Sequence, residues 1–129
     1  MATPRVTEDA KLSSNSPIAV AKLKEMCSQV CGSVISPETV YTHALTSEWN
    51  DRIIKGVLDL LVAESKRHKF LIYSTVVERD ESSSTRGMHS TTGAYWNSAK
   101  DGIWNYKWGG GTADRGMDVV ISIAWISLE

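Results

Sequence analysis

The sequence lacks an excess of charge of either sign: 14 lysines and arginines stand against 15 aspartates and glutamates, a formal net charge of −1. That balance leaves no electrostatic footprint for nucleic acid. The one basic cluster, Lys66-Arg67-His68-Lys69, is short and follows an apolar helix, where basic residues complement the helix dipole. No apolar run approaches the roughly 20 residues of a membrane helix, so no membrane insertion is expected. Residues 1–15 have no apolar centre of the kind a secretion signal carries. Cysteine is scarce. Cys27 and Cys31 alone cannot complete a four-ligand zinc site, and helical positions four apart are poorly disposed for a disulfide. They read as two small core-facing residues, and a reducing cytosol is the expected location. Catalytic signatures are missing as well. There is no G-x-S-x-G elbow and no H-E-x-x-H, and Gly109-Gly110-Gly111 lacks the Lys-Ser/Thr of a phosphate loop. His89 has Ser90 and Thr91 beside it, but nothing in the pattern supplies the third, orienting group that an activated nucleophile needs. The chain is expected to be no enzyme, with no metal and no cofactor.

What is present suits one domain around one core: 129 residues, 42% of them hydrophobic. Residues 1–15 carry few large apolar side chains and read as a disordered tail, which leaves 16–129 as the domain. A first helix is expected from Ser16 (N-cap) and Pro17 to Gly32, with Val20, Leu23, Cys27 and Val30 forming its apolar stripe. Glu38 to Leu45 suggests a turn or two of helix. A second helix starts near Ser47 and runs out around 65–69. Trp49, Ile53, Val57 and Leu61 form a ridge along it, and Gly56 marks a place where another backbone comes close. After residue 69 the period shortens to that of strands. Residues 70–77 form a β-branched and aromatic strand, and Asp80 to Gly87 a long polar loop. A second strand spans His89 to Asn97, and a turn ends at Asp101-Gly102. A third strand sets Trp104, Tyr106 and Trp108 on one face. After a connection from Gly109 to Gly116, the last strand, 117–128, is apolar almost throughout, as a central strand covered on both faces would be.

Helices followed by strands imply an α+β fold, with two N-terminal helices packed on a four-stranded antiparallel sheet. The strand His89-Ser90-Thr91-Thr92-Gly93-Ala94-Tyr95-Trp96-Asn97 is too polar for the centre of a self-contained core. Two readings stand. It is a hairpin strand with a wet face, or it leaves its own domain to pair with a second copy and offers its free edge to an extended peptide.

Several segments resemble the Tctex-type dynein light chains. Glu48-Trp49-Asn50-Asp51-Arg52-Ile53-Ile54, with Val57-Leu58 following, resembles the family's second helix. Tyr41-Thr42-His43 resembles the Tyr-x-His before it, and Phe70-Leu71-Ile72-Tyr73 its first strand. Met88 to Asn97 is similar to Leu-His-Thr-Ala-x-x-x-aromatic-Trp-Asp. Asp101-Gly102, Tyr106-Lys107-Trp108 and Val119 to Leu128 then follow in order. The connection Gly109 to Gly116 is longer than the family's, and Trp125-Ile126-Ser127 stands where a Phe-Gly-Leu-like stretch is usual. The resemblance implies a strand-exchanged homodimer in the cytoplasm, part of the microtubule-associated dynein complex. It further implies binding of a dynein intermediate chain peptide and, on the same surface or another, of cargo proteins. A dynein-independent peptide clamp of the same fold is the alternative. By the same resemblance His89 to Asn97 is expected to be both dimer strand and peptide edge, with Trp49 and Ile53 lining the groove beside it.

Overall fold

The computed structural model describes residues 2–6, 15–79 and 88–129. In chain order these form strand β1 (Ala2–Val6), helix α1 (Val20–Val34), a single 3-10 turn (His43–Leu45), helix α2 (Thr46–Glu64), and strands β2 (His68–Glu78), β3 (Gly93–Asn97), β4 (Gly102–Gly110) and β5 (Met117–Ser127). The expected α+β architecture, two helices on an antiparallel sheet, is observed.

β2, β5 and β4 form the main sheet in that order, with β5 in the centre as its apolar sequence predicts. Met117, Val119, Ile121, Ile123 and Trp125 alternate along β5 toward the helices and are all buried. Trp104 is buried on the same side, and Phe70, Ile72, Val76, Tyr106 and Trp108 pack against this core. The helices supply Leu23, Met26, Cys27, Val30 and Cys31 from α1, and Trp49, Ile53, Val57 and Leu61 from α2. Each set recurs every three or four residues, so one stripe of each helix faces the sheet. Burial pushes both cysteine thiols up to about 12, and for Cys27 the neighbouring Cys31 adds to the effect. Thiols so disfavoured as thiolates are packing residues.

Several boundaries differ from the sequence expectation. α1 starts at Val20, because Ser16 turns its hydroxyl onto Ile18, accepting from its N–H (3.3 Å) and donating to its carbonyl (2.6 Å). Gly32 does not end α1. The helix continues to Val34, and the next residue, Ile35, is drawn into the core. The approach permitted by Gly56 is that of a side chain: a Cβ there would stand 2.8 Å from a methyl of Val30 on α1. The basic cluster lies just beyond α2, where Arg67 pairs with Glu129 at 2.6 Å and His68 opens β2. Gly109 and Gly110 belong to β4, so the β4–β5 connection is shorter than the glycine run suggests. Arg79 fastens that connection by donating to the carbonyls of Gly110, Thr112 and Met117 and to Asp118 Oδ1.

Two strands stand apart from the main sheet. β1 and β3 pair antiparallel as a separate ribbon, with Ala2 opposite Asn97 and Val6 opposite Gly93. The sequence pattern puts four strands in one sheet; all four form, but β3 is not in that sheet. Part of the expected tail, residues 2–6, is a strand, and Asn15 is tied down by hydrogen bonds. A strand is made by backbone pairing, to which a count of large apolar side chains is blind. The expected loop Asp80 to Gly87 lies outside the described residues.

Candidate strand-pairing site

The site is built around β3 and the face of the sheet turned away from the helices. Along β2, Lys69, Leu71, Tyr73, Thr75 and Val77 alternate with the helix-facing residues. Opposite them in register stand Ile126, Ala124, Ser122, Val120 and Asp118 of β5. Only part of this second face is covered. Ile103 and Ala124 are buried beneath the half-buried Trp96 of β3. Leu71 and Tyr73 are 68% and 69% exposed, although they sit within a strand of 11 residues. Among the described residues no strand pairs with the outer edge of β2, which carries eleven residues. An open edge next to an apolar face is a template for another chain.

β3 forms no ladder with the main sheet and is held at its C-terminal end. The buried carboxylate of Asp101 accepts the N–H of Asn97 at 3.1 Å through Oδ2 and that of Ser127 at 2.7 Å through Oδ1. Asn97 Oδ1 accepts the N–H of Ala99, and its carbonyl accepts those of Lys100 and Asp101, which closes the turn. Asn15 braces it from outside, donating to the Asp101 carbonyl at 2.9 Å and accepting from Trp125 Nε1 at 3.3 Å. Gly102 is required here, since a Cβ would stand 2.5 Å from the Trp125 ring. The Asp-Gly signal therefore marks a fixed corner, not a hairpin: β3 and β4 flank it without pairing to each other. The hairpin reading of β3 is set aside by this geometry.

Of the nine residues expected to form the peptide strand, Gly93, Ala94, Tyr95, Trp96 and Asn97 are in β3, while His89, Ser90, Thr91 and Thr92 are exposed and precede it. Tyr95 points to solvent at 75% exposure, and Trp96 packs inward. The indole Nε1 of Trp96 is buried with no hydrogen-bond partner among the described residues. Such a donor is a penalty of roughly 1–3 kcal/mol until something accepts from it.

Trp49 and Ile53 are not brought to β3. They are 5% and 0% exposed, in the core between α2 and the sheet, whereas Trp96 packs on the opposite face. In this structure the apolar ridge of α2, with both residues on it, faces its own sheet. Their neighbourhood explains the Tyr-x-His signature. The Tyr41 hydroxyl lies 2.8 Å from His43 Nδ1, and the Tyr41 ring meets Trp49 edge-on at 6.4 Å, so the motif seats the start of α2. Sequence reasoning missed Leu71, Tyr73 and the corner made by Asp101 and Asn15. The first two carried a signal, since β2 and β5 are apolar on both faces. The corner carried only Asp-Gly.

This geometry defines a small α+β domain whose sheet is sealed by two helices on one face and in which, among the described residues, the outer edge of β2 has no partner strand. The chain belongs to the Tctex-1 family, whose profile matches residues 17–126. It is 35% identical over 113 residues to the dynein light chain Tctex-type of Schizosaccharomyces pombe, covering 87% of this chain and 97% of that one. Dynein light chain Tctex-type 3 of Homo sapiens is 24% identical over 88 residues, 68% of this chain and 69% of that one. A protein of Vanderwaltozyma polyspora named topoisomerase I damage affected protein 2 is 29% identical over 114 residues, 88% and 87% of the two chains. The order of elements after residue 17 thus belongs to a family that includes dynein light chains.

Proposed function

We propose that this protein is a non-catalytic, homodimeric light chain of the cytoplasmic dynein motor complex on microtubules. In this reading β3 of each subunit crosses to the outer edge of the other subunit's β2. The exchanged strand then offers its second edge to an extended peptide of the dynein intermediate chain, and the dimer supports cargo attachment. The observation that carries the reading is the separation of β3 from its own sheet, next to a β2 with no strand on its outer side among the described residues. Burying Leu71 and Tyr73 of each subunit between two such sheets would contribute about 1.5–3 kcal/mol per side chain. Backbone ladders would supply affinity for the peptide, and alternate side chains its selectivity. His89 to Thr92 would lengthen β3 once the eleven residues of β2 lie beside it.

A second reading has a specific observation in its favour. Two relatives carry a name that refers to topoisomerase I damage and to no motor. A dimeric peptide clamp working outside dynein would use the same edges. Sedimentation with and without a synthetic intermediate chain peptide separates the cases. A dimer that gains the mass of two peptides supports the motor reading. A dimer that ignores the peptide favours the clamp, and a monomer at tens of micromolar removes both.

A further inference from the structure

The five residues of β3 are already matched, one for one, by the chain's own N-terminal strand: Ala2 with Asn97, Thr3 with Trp96, Pro4 with Tyr95, Arg5 with Ala94, and Val6 with Gly93. β1 is extended and antiparallel, and among the described residues it joins no other strand. These are the properties of a peptide added to an edge. We infer that β1 is a tethered pseudo-ligand: it occupies the client edge of β3 and must be displaced before an extended segment of another protein adds there. The inference rests on the proposed dimeric, strand-adding reading and says what governs access to its peptide edge.

The composition of β1 fits a replaceable occupant. It has five residues where β2 has eleven, and one of the five is Pro4. Proline has no N–H, and in sheets it is confined to edges. β1 keeps its full set of donors toward β3 only if Pro4–Tyr95 is a non-hydrogen-bonded pair. The N–H groups of Thr3 and Arg5 then point at β3. The outer edge of β1 is left one donor short, which discourages a further strand from joining. The client that fits is an extended segment with N–H donors at alternate positions and proline tolerated between them. A covalently attached strand acts at an effective concentration on the order of millimolar. If its own dissociation constant is about 0.1 mM, the apparent affinity for a client falls about tenfold.

The test uses the full chain and a full-length Thr3→Pro/Arg5→Pro variant, whose substitutions lie outside a core that runs from Ile18 to Trp125. The probe is a fluorescent synthetic peptide of residues 1–8, followed by anisotropy, and both proteins are also sedimented. The variant is expected to bind the probe at least about tenfold more tightly than the unaltered chain, at the same dimeric mass. Equal affinities, or a variant that does not bind, overturn the inference while leaving the dimer standing. A variant whose mass differs from that of the unaltered chain also overturns it, because β1 would then lie on the edge between subunits. Two monomers overturn the dimeric reading itself, and this inference with it.

Discussion

The two faces of β5 are made of alternate residues of one strand, yet they belong to different situations. Met117, Val119, Ile121, Ile123 and Trp125 lie sealed beneath two helices, and no outside group is needed to complete that side. Val120, Ser122 and Ile126 are half-covered, and beside them Leu71 and Tyr73 stand in water. The sequence is largely apolar on both faces, but the subunit covers one fully and the other only in part, where Trp96 lies over Ile103 and Ala124. The first face is a finished fold, and the second is the one the proposed dimer would cover. Stability and assembly should therefore respond to different residues.

The comparison is broken most severely from the sealed side. Ile121→Ala should lower unfolding free energy by about 2–5 kcal/mol, because a cavity remains under the helices; urea denaturation reads it. A loss below about 1 kcal/mol would mean that the helix-covered face is not the main source of stability. Leu71→Asp, on the open face, should leave the unfolding of a single subunit within roughly 0.5 kcal/mol. It should nevertheless shift the dimer toward monomer by at least about tenfold in sedimentation, since a carboxylate would be buried in each half of the interface. An unchanged dimer would show that the open face is not where subunits meet. The smallest effect sharpens the picture of the helices. Gly32 lies inside α1, and a Cβ at that position would meet nothing within 4 Å. Gly32→Ala should therefore raise stability by roughly 0.5–1 kcal/mol, visible as a rise in thermal midpoint.

The helices are legible in the sequence from their apolar period, and the central strand from its nearly unbroken apolar run. Trp49, Ile53, Val57 and Leu61 read as one ridge and are buried together. Cys27 and Cys31 read as core residues and are buried in the core. The continuous apolar character of 117–128 predicts the middle of the sheet, where β5 lies. The site is harder to read. Period reports which face of an element is apolar and not what covers it, so Trp49 and Ile53 are equally compatible with a groove and with a core. The length of β3 and the existence of β1 depend on backbone pairing between segments far apart in the chain, which leaves no mark on side-chain pattern. Pro4, with its missing donor, would if anything argue against a strand.

The Asp101 corner has a mechanical consequence. By gripping the amides of Asn97 and Ser127 together, one carboxylate welds the trailing end of β3 to the end of β5. The residues leading into β3, Met88 to Thr92, lie outside any strand. Among the described residues, the contacts that fix β3 to the main sheet, this corner and Trp96 on Ile103 and Ala124, all lie at its trailing end. In the proposed dimer, a reach toward a neighbour would turn about this corner, and the anchor on the central strand would set the register in which the arm arrives.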